Sequence, residues 1–286
     1  MRIAYLILCH KNSLQVESLI DQLDSDDVDF YVHIDNKNDN FKLRDRTNLH
    51  VLPSEFRVDV QWATFSMIEA ELNLIYSMIS TNIKYDYAVL LSGQDFPIKS
   101  NAYINKYLEN HVGDNFIDVI SHDNSLFEGY MKRTEMYYFS FMQRRTFISK
   151  SIRKMYMVLL GNIKSLKRKH PANLNFEFGS QWWVLSLDFL NWVIMFLDQN
   201  PFYSEFYKHS MAPDESFFQT LIVSSPFCET IRPSLTFLTW NSSDNHPDAL
   251  AVKDVAKVID SDNYLFCRKI EDTKVISFIR EHICNK

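Results

Sequence analysis

Two neighbouring carboxylates, Asp214 and Glu215, have the residue type and position that proton transfer requires. They follow Pro213 and precede an apolar run with Phe217 and Phe218, a pattern that predicts the start of a helix. Acids in the first turn of a helix suit the helix dipole and need no other role. A carboxylate placed there can also take the proton of a reacting hydroxyl group. Spacing alone leaves both interpretations open.

A basic pair, Arg268-Lys269, follows the apolar residues 265–267. Such a pair often marks only the point where a strand leaves the core. It also suits a phosphate group, which accepts the forked donors of arginine beside the point charge of lysine. The chain has 5 glycines and neither GxGxxG nor GxxxxGK[ST], so no glycine-rich phosphate loop is predicted.

The elements that must position these groups alternate along the first hundred residues. Apolar runs predict strands at 2–9, 30–35, 49–52 and 87–91, and helical spacing follows Ser13, the predicted N-cap, and Thr64. This alternation predicts an α/β fold with a mostly parallel sheet, which binds ligands at the carboxyl ends of its strands. Three polar clusters then share one rim: Cys9-His10-Lys11, Asp35-Asn36-Lys37 and Ser92-Gly93-Gln94-Asp95.

The carboxylates and the basic pair belong to the later part of the chain. Residues 179–186 are aromatic and apolar after a Gly-Ser entry, which predicts a strand. Residues 187–197 have helical apolar spacing with Asp188 in the first turn, and a further helix is predicted to begin at Pro213. We found no internal repeat and no Pro/Gly-rich linker. We therefore expect a single domain over 1–286, with a nucleotide-binding part at about 1–125 and an acceptor and catalytic part at about 177–286.

Composition excludes several classes of protein. The 286 residues can bury a full core, and the net charge of −6 gives no reason to expect a nucleic-acid partner. The 4 cysteines are scattered without ligand-like spacing, so we expect neither a zinc site nor disulfides. A protein of this kind fits a reducing compartment. The apolar run near the start is too short for a signal peptide, and no window suits a membrane span. We expect a cytoplasmic, complete and unprocessed chain.

A basic insertion, residues 136–176, differs in composition from the rest. It contains no Asp or Glu and nine Lys or Arg, and the remaining residues are strongly acidic. Apolar residues from Ile148 to Ile163 have helical spacing inside it. A basic amphipathic helix suits an anionic membrane surface, for which 144–169 is the candidate. The alternative is a solvated insertion that packs on the sheet, and composition does not decide between them.

Five motifs occur in this order in one known family: His33-Ile34-Asp35-Asn36-Lys37, residues 91–99 around Ser92-Gly93-Gln94-Asp95, Gly179-Ser180-Gln181-Trp182-Trp183, Asp214-Glu215-Ser216-Phe217-Phe218 and Phe266-Cys267-Arg268-Lys269. They span nearly the whole chain. The chain resembles the core-2/I-branching β-1,6-N-acetylglucosaminyltransferases and the peptide O-xylosyltransferases, glycosyltransferase family 14. Its best-known members are animal Golgi proteins with a membrane anchor and disulfides. This chain looks like a bacterial cytoplasmic relative.

The resemblance implies a GT-A-type fold and an inverting transfer of a sugar from a UDP-sugar to a glycan, without a metal ion. Glu215 matches the family's catalytic base, and Arg268 and Lys269 match the basic pair that stabilises the departing diphosphate. The sequence agrees in having no convincing Asp-x-Asp motif at the end of a strand. Asp214 is then a capping or orienting residue rather than a second base.

The same resemblance implies the remaining site residues. Those expected to bind the donor are Leu8, His10, Asp35, Val60, Gln61, Trp62, Gln181, Trp182 and, by a looser match, His246. Those expected to bind the acceptor are Trp240, Lys132, Arg133 and Asp95; Trp240 has the alternative of a core tryptophan, and Asp95 that of structuring its loop.

The donor sugar and the acceptor follow from the resemblance only as expectations. The xylosyltransferases have Asp where this chain has Gln181, which argues against xylose as the donor sugar and leaves N-acetylglucosamine (GlcNAc), the expected donor sugar of the family, or another hexose open. A lipid-linked glycan of bacterial surface polysaccharide is the expected acceptor. Xylosyl, galactosyl or glucosyl transfer by the same site is one alternative. A relative that binds a nucleotide-sugar or glycan without turnover is the other, although such a protein has no need of Glu215.

Overall fold

The computed structural model describes residues 1–38, 40–124, 127–139, 142, 146–160, 163, 167–171, 174–239 and 247–284. The strands are β1 Ile3–Cys9, β2 Val28–Ile34, β3 Leu49–Val51, β4 Tyr87–Ser92, β5 Asp95–Pro97, β6 Asn115–Phe116, β7 Val184–Ser186, β8 Ile231–Arg232, β9 Thr236–Phe237 and β10 Phe266–Arg268. The α-helices are α1 Ser13–Leu23, α2 Phe65–Ser80, α3 Asn101–Glu109, α4 Phe127–Glu135, α5 Phe147–Leu160, α6 Leu187–Gln199, α7 Pro201–Tyr207, α8 Phe217–Val223, α9 Val252–Val255 and α10 Thr273–Cys284.

The central sheet has the strand order β3-β2-β1-β4-β7-β6-β8 within the described residues. β3, β2, β1 and β4 are parallel, β7 is antiparallel to both its neighbours, and β8 is parallel to β6. A smaller sheet has the order β5-β10-β9. The predicted α/β fold with a mostly parallel central sheet flanked by helices is confirmed.

Strand β1 lies between β2 and β4, and this position explains its continuous apolar sequence. Ile3 is opposite Val28 on one side and Tyr87 on the other. Successive side chains of a strand point to opposite faces of the sheet. Tyr5 and Ile7 pack with α1 and α10 in one apolar cluster, and Ala4 and Leu6 pack with α2, α6 and α8 in another. Both faces of the strand are therefore buried, as parallel sheets require.

Three local predictions differ from the structure in detail. Asn12 rather than Ser13 is the N-cap of α1, because its Oδ1 accepts the backbone N–H of Gln15 at 3.3 Å. Of the strand predicted at 179–186, only β7 forms. The helix predicted to begin at Pro213 is a 3₁₀ turn, Pro213–Glu215, and α8 begins separately at Phe217.

The basic insertion contains α5, which matches the helical spacing predicted there. Arg144, Arg145 and Lys164 of its basic residues lie outside the described residues. No helix in the described ranges has both the length and the apolar character needed to cross a bilayer.

Candidate active site

A cavity of about 620 Å³ lies where the carboxyl ends of β1, β2 and β4 meet the 3₁₀ turn Pro213–Glu215 and the end of β10. Because β1, β2 and β4 are parallel, the residues that follow them reach the same rim. The predicted site residues that line this cavity are Leu8, His10, Asp35, Val60, Trp62, Gln181, Trp182, Glu215, Arg268 and Lys269.

Glu215 is held by its backbone as well as by its side chain. Its carbonyl accepts the N–H of Gly179 at 2.8 Å, and its carboxylate forms a short ion pair with Arg133. A Cβ on Gly179 would stand 1.8 Å from the carbonyl oxygen of Asp118, so only glycine fits this crossing. Burial raises the pKa of Glu215, and the Arg133 guanidinium opposes that rise by favouring the charged form. The site thus presents a carboxylate with a cation beside it.

Asp214 lies next to Glu215 and is buried more deeply. Burial, and then the neighbouring Glu215 charge, raises the pKa of Asp214 to about 7. Its Oδ1 has no hydrogen-bond partner among the described residues. Two adjacent carboxyls in one buried site do not readily ionise together, and Arg133 favours charge on Glu215. Glu215 is therefore the better proton acceptor of the two.

Arg268 is oriented by two neighbours. Its Nη1 lies 3.2 Å from Oδ1 of Asp95, and its Cζ lies 3.7 Å from the centre of the Trp182 ring. Asp95 and Arg268 are directly opposite each other on the antiparallel strands β5 and β10. Asp95 is fully buried and also accepts the backbone N–H of Ser92 at 2.6 Å. It lies behind the cavity wall, so the structure places it against Arg268 rather than at a sugar.

Lys269 shares a carboxylate with two other donors of the cavity wall. Oε1 of Glu271 lies 2.9 Å from Lys269 Nζ, 2.9 Å from Gln94 Nε2 and 3.5 Å from Lys11 Nζ. The hydrogen bond from Lys269 is the main reason that the pKa of Glu271 falls to about 2. Lys269, Gln94 and Lys11 thus converge on the Glu271 carboxylate, which offsets one of the two lysine charges at this part of the wall. The sequence analysis placed Lys11 and Gln94 at this rim but missed Glu271.

The proposed nucleotide end combines Asp35 with the loop before α2. The backbone N–H of Asp35 bonds to the carbonyl of Cys9 at 2.8 Å, which ties it to the end of β1. Nε2 of His33 accepts the backbone N–H of Val58 at 2.8 Å and so fixes the start of the loop. Burial lowers the pKa of His33 to about 4, so the ring is neutral and can accept. Trp62 is 40 % exposed and lines the cavity.

One residue of that loop does not reach the cavity. The side-chain amide of Gln61 is exposed and donates to Oδ1 of Asp59 at 2.8 Å. Its sequence neighbours Val60 and Trp62 line the wall. Gln61 itself does not line the cavity, and its contact with the donor stays a prediction.

Gln181 is positioned by a buried acid that the sequence analysis missed. Its Nε2 donates to Oε1 of Glu71 at 2.6 Å, and Glu71 is fully buried. Burial raises the pKa of Glu71 well above its ordinary value, which favours the neutral carboxyl. Glu71 lies on the apolar stripe of α2 beside Ile68, Leu72 and Ile75. An acid on an apolar helix face was the signal that could have revealed it.

The acceptor residues are only partly brought together. Arg133 pairs with Glu215, whereas Lys132 on the same helix is exposed. Trp240 and His246 lie outside the described residues. Within the described ranges, no three His, Cys, Asp or Glu side chains are grouped as metal ligands, and the metal-free mechanism stays a prediction.

Comparison with known proteins identifies the family of the chain. The sequence model described as "Core-2/I-Branching enzyme" matches residues 3–258. The chain belongs to the core-2/I-branching enzyme family. This membership bears out the resemblance and supports the GT-A-type interpretation of the fold.

Its curated relatives include two kinds of transferase. Xylosyltransferase 2 of Rattus norvegicus is 25 % identical over 252 residues, which cover 84 % of this chain and 27 % of that protein. Beta-1,3-galactosyl-O-glycosyl-glycoprotein beta-1,6-N-acetylglucosaminyltransferase 4 of Danio rerio is 26 % identical over 257 residues, covering 84 % of this chain and 56 % of that protein. The chain thus spans about a quarter of the first relative's length and about half of the second's.

Among solved structures, the apo WbbM bifunctional glycosyltransferase aligns over 100 % of this chain and 50 % of its own, at 13 % identity and a TM-score of 0.37. A likeness of that strength carries no argument about this chain.

Proposed function

We propose that this protein is an inverting glycosyltransferase that moves a sugar, GlcNAc in our preferred assignment, from a UDP-sugar to a glycan in β-linkage without a metal ion. The observation that carries the proposal is one cavity that contains a partly buried carboxylate, Glu215, and the cations Arg268 and Lys269. Family membership supports it, because the relatives compared above are named as transferases of xylose and N-acetylglucosamine. The catalytic and binding roles of the residues are part of the proposal.

The chemistry assigned to Glu215 is the removal of one proton. The acceptor hydroxyl oxygen attacks the anomeric carbon of the donor and forms the new C–O bond, while Glu215 takes the hydroxyl proton. The bond from the anomeric carbon to the phosphate oxygen breaks, and its electron pair leaves with UDP. Attack opposite the leaving group converts an α-linked donor into a β-linked product. Arg133 opposes the rise in the pKa of Glu215 that burial causes, and so favours the ionised form before the attack.

The negative charge that develops on the diphosphate must be met by fixed groups. Arg268 is held in place by Asp95 and Trp182, so little reorganisation is needed when the charge appears. Lys269 and Lys11 lie at the same rim and share the charged Glu271 carboxylate, so the three groups together add one net positive charge. Arg268, Lys269 and Lys11 take the part that a divalent metal plays in other transferases, which is the basis for proposing a metal-free reaction.

Gln181 and Glu71 favour a donor other than UDP-xylose. The Glu71 carboxyl, whose pKa burial raises, accepts a hydrogen bond from the amide of Gln181 in a buried pair. An aspartate at position 181, as in the xylosyltransferases, would bring a second carboxyl against Glu71. We therefore propose that the Gln181–Glu71 pair belongs to a site for a GlcNAc donor, with xylosyl, galactosyl or glucosyl transfer as the alternative.

The acceptor that we propose is a lipid-linked glycan of bacterial surface polysaccharide synthesis, glycosylated in the cytoplasm. The support is the basic character of residues 136–176, which suits an anionic membrane surface. The protein would then be peripheral at the inner face of the membrane.

Transfer assays with Glu215→Gln test the proposal directly. Wild-type protein is incubated with UDP-GlcNAc, UDP-xylose, UDP-glucose and UDP-galactose together with glycan acceptors, and the anomeric configuration of the product is determined by NMR. We expect a β-linked product from wild type, and a loss of about 10²-fold or more in Glu215→Gln with UDP-sugar binding retained. Unchanged turnover in the variant would remove Glu215 from the mechanism, and an α-linked product would exclude inversion.

A further inference from the structure

Helix α5 exposes the apolar side that an amphipathic helix normally buries. Five large apolar side chains on it are 57–84 % exposed, and no other described helix exposes as many: Phe147, Ile148, Met155, Val158 and Leu159. At 3.6 residues per turn, these positions fall within an arc of about 120°. Ser151 of the same helix is also exposed within this arc, and the five apolar side chains surround it. An exposed apolar surface of this kind marks an interaction site.

The opposite side of α5 attaches the helix to the rest of the protein. Ser149 is buried, and Ile152 and Tyr156 are half-buried. Nη1 of Arg153 donates to the carbonyl of Met142 at 3.4 Å and contacts Sδ of Met211 at 3.9 Å. The orientation of the helix is therefore set by its polar and aromatic side, and the apolar side faces outward.

The charged side chains of α5 itself are all positive. Lys150 and Lys154 lie beside the apolar arc, and both are exposed. Neither forms an ion pair with any part of the chain that the structure describes. Nine of the 30 Lys and Arg of the chain fall within 136–176, and none of its 36 Asp and Glu does. An apolar stripe bordered by lysines complements the acyl chains and headgroups of an anionic bilayer.

We propose that α5 is an interfacial anchor, which inserts its five apolar side chains into an anionic lipid surface while Lys150 and Lys154 contact the headgroups. A second copy of the chain is the competing occupant. Isologous pairing of α5 with itself would bring the lysines of both copies together, which like-charge repulsion disfavours. The charge pattern thus favours lipid over a symmetric dimer.

The anchor lies on the side of Arg133 and Glu215. Arg153 touches Met211, the N–H of Met211 donates to the carbonyl of Arg133 at 3.0 Å, and Arg133 pairs with Glu215. If Glu215 is the base, a glycan carried on a lipid would reach it from the membrane that α5 contacts. This step rests on the proposed function, whereas the binding of α5 to lipid does not.

Vesicle flotation of the full chain tests the proposal. The probes are phosphatidylcholine vesicles with and without phosphatidylglycerol, and the variant is Ile148→Ser/Met155→Ser/Leu159→Ser. Its matched control is Leu14→Ser/Val112→Ser/Met195→Ser, which removes apolar side chains that are 58–80 % exposed elsewhere. We expect wild type and control to float only with the vesicles that contain phosphatidylglycerol. The α5 variant and the variant Lys150→Glu/Lys154→Glu should bind these vesicles at least about tenfold more weakly.

Equal flotation of the α5 variant and its control would overturn the anchor, as would equal binding to both kinds of vesicle. A wild-type dimer that dissociates in the α5 variant, with no vesicle binding, would assign the face to a second copy. UDP-GlcNAc binding is measured on the same proteins and should be unchanged in the α5 variant. Vesicle binding without UDP-sugar binding would leave the anchor standing and remove the proposed function.

Discussion

Glu71 provides a quantitative test of the buried pair that positions Gln181. The carboxyl is fully buried, and its pKa is raised well above the ordinary value of 4.5, first of all by burial. The folded protein therefore keeps a proton on Glu71 at a pH where the unfolded chain has released it. A group with this behaviour destabilises the fold as pH rises from about 4.5 towards its folded pKa. Glu71→Gln removes the titration but keeps an acceptor for the amide of Gln181.

The size of this change in unfolding free energy follows from the one proton that Glu71 releases when the chain unfolds. If Glu71 stays protonated in the fold up to pH 6, linkage with an unfolded pKa of 4.5 gives a loss of about 1 kcal/mol of unfolding free energy between pH 5 and pH 6 in wild type that the variant escapes. Other buried carboxyls titrate in both proteins, so their contributions largely cancel in the difference. We expect Glu71→Gln to gain about 1 kcal/mol relative to wild type over that pH unit.

Urea unfolding followed by tryptophan fluorescence at pH 5 and pH 6 measures this difference. Glu69→Gln is the matched control, because it makes the same chemical change on the exposed side of α2. Its free-energy difference from wild type should be the same at both pH values. An equally constant difference for Glu71→Gln would mean that Glu71 enters the fold charged, and the neutral Glu71–Gln181 pair would have to be abandoned.

Three further predictions concern the surroundings of Glu215 and Gln181. Arg133→Ala removes the cation that lowers the pKa of Glu215, so the acidic limb of the pH profile of kcat/KM should move to higher pH. The control Lys132→Ala should leave that limb in place. Coincident profiles of Arg133→Ala and wild type would contradict the role of Arg133. Gly179→Ala puts a Cβ 1.8 Å from a backbone oxygen and should lower the unfolding free energy by about 3 kcal/mol. Gly129→Ala, which has open space around the added Cβ, should not lower it. Equal urea midpoints for the two variants would refute the steric clash at Gly179. Gln181→Asp brings a second carboxyl to Glu71, so the unfolding free energy of this variant should fall with rising pH more steeply than that of wild type. Parallel pH dependences would contradict the contact between residue 181 and Glu71.

The framework of the site could be predicted from the sequence because its signals are local. The apolar runs of β1, β2 and β4 identify buried parallel strands, and the carboxyl-end rule then brings Lys11, Asp35 and Gln94 to one rim. That rule needs only the order of the strands along the chain.

The pairs that complete the site join residues far apart in sequence and leave no local pattern. Glu71 meets Gln181, and Asp95 meets Arg268, because strands and helices pack in three dimensions. The strand predicted at 179–186 fails over its first residues for a related reason. Gly179 gives its backbone N–H to Glu215, and the segment lines the cavity instead of extending β7.

The orientation of α5 could not be predicted either. Its periodicity indicated a helix, but an apolar stripe usually faces the core. Here the side that carries Ser149 and Arg153 faces the protein. Only the packing of the helix shows that the stripe is exposed.

The proposed transfer reaction depends most on a donor site in which protein cations, not a metal, hold the diphosphate. Calorimetry of a panel of UDP-sugars with EDTA present, against wild type, Arg268→Ala and the distant control Arg232→Ala, measures this directly. We expect wild type and control to bind one UDP-sugar, UDP-GlcNAc in our assignment. Arg268→Ala should bind it about 10- to 150-fold more weakly, because a charge-assisted contact to phosphate is lost. Binding that appears only after Mn²⁺ is restored, or that is the same in all three proteins, would contradict the account.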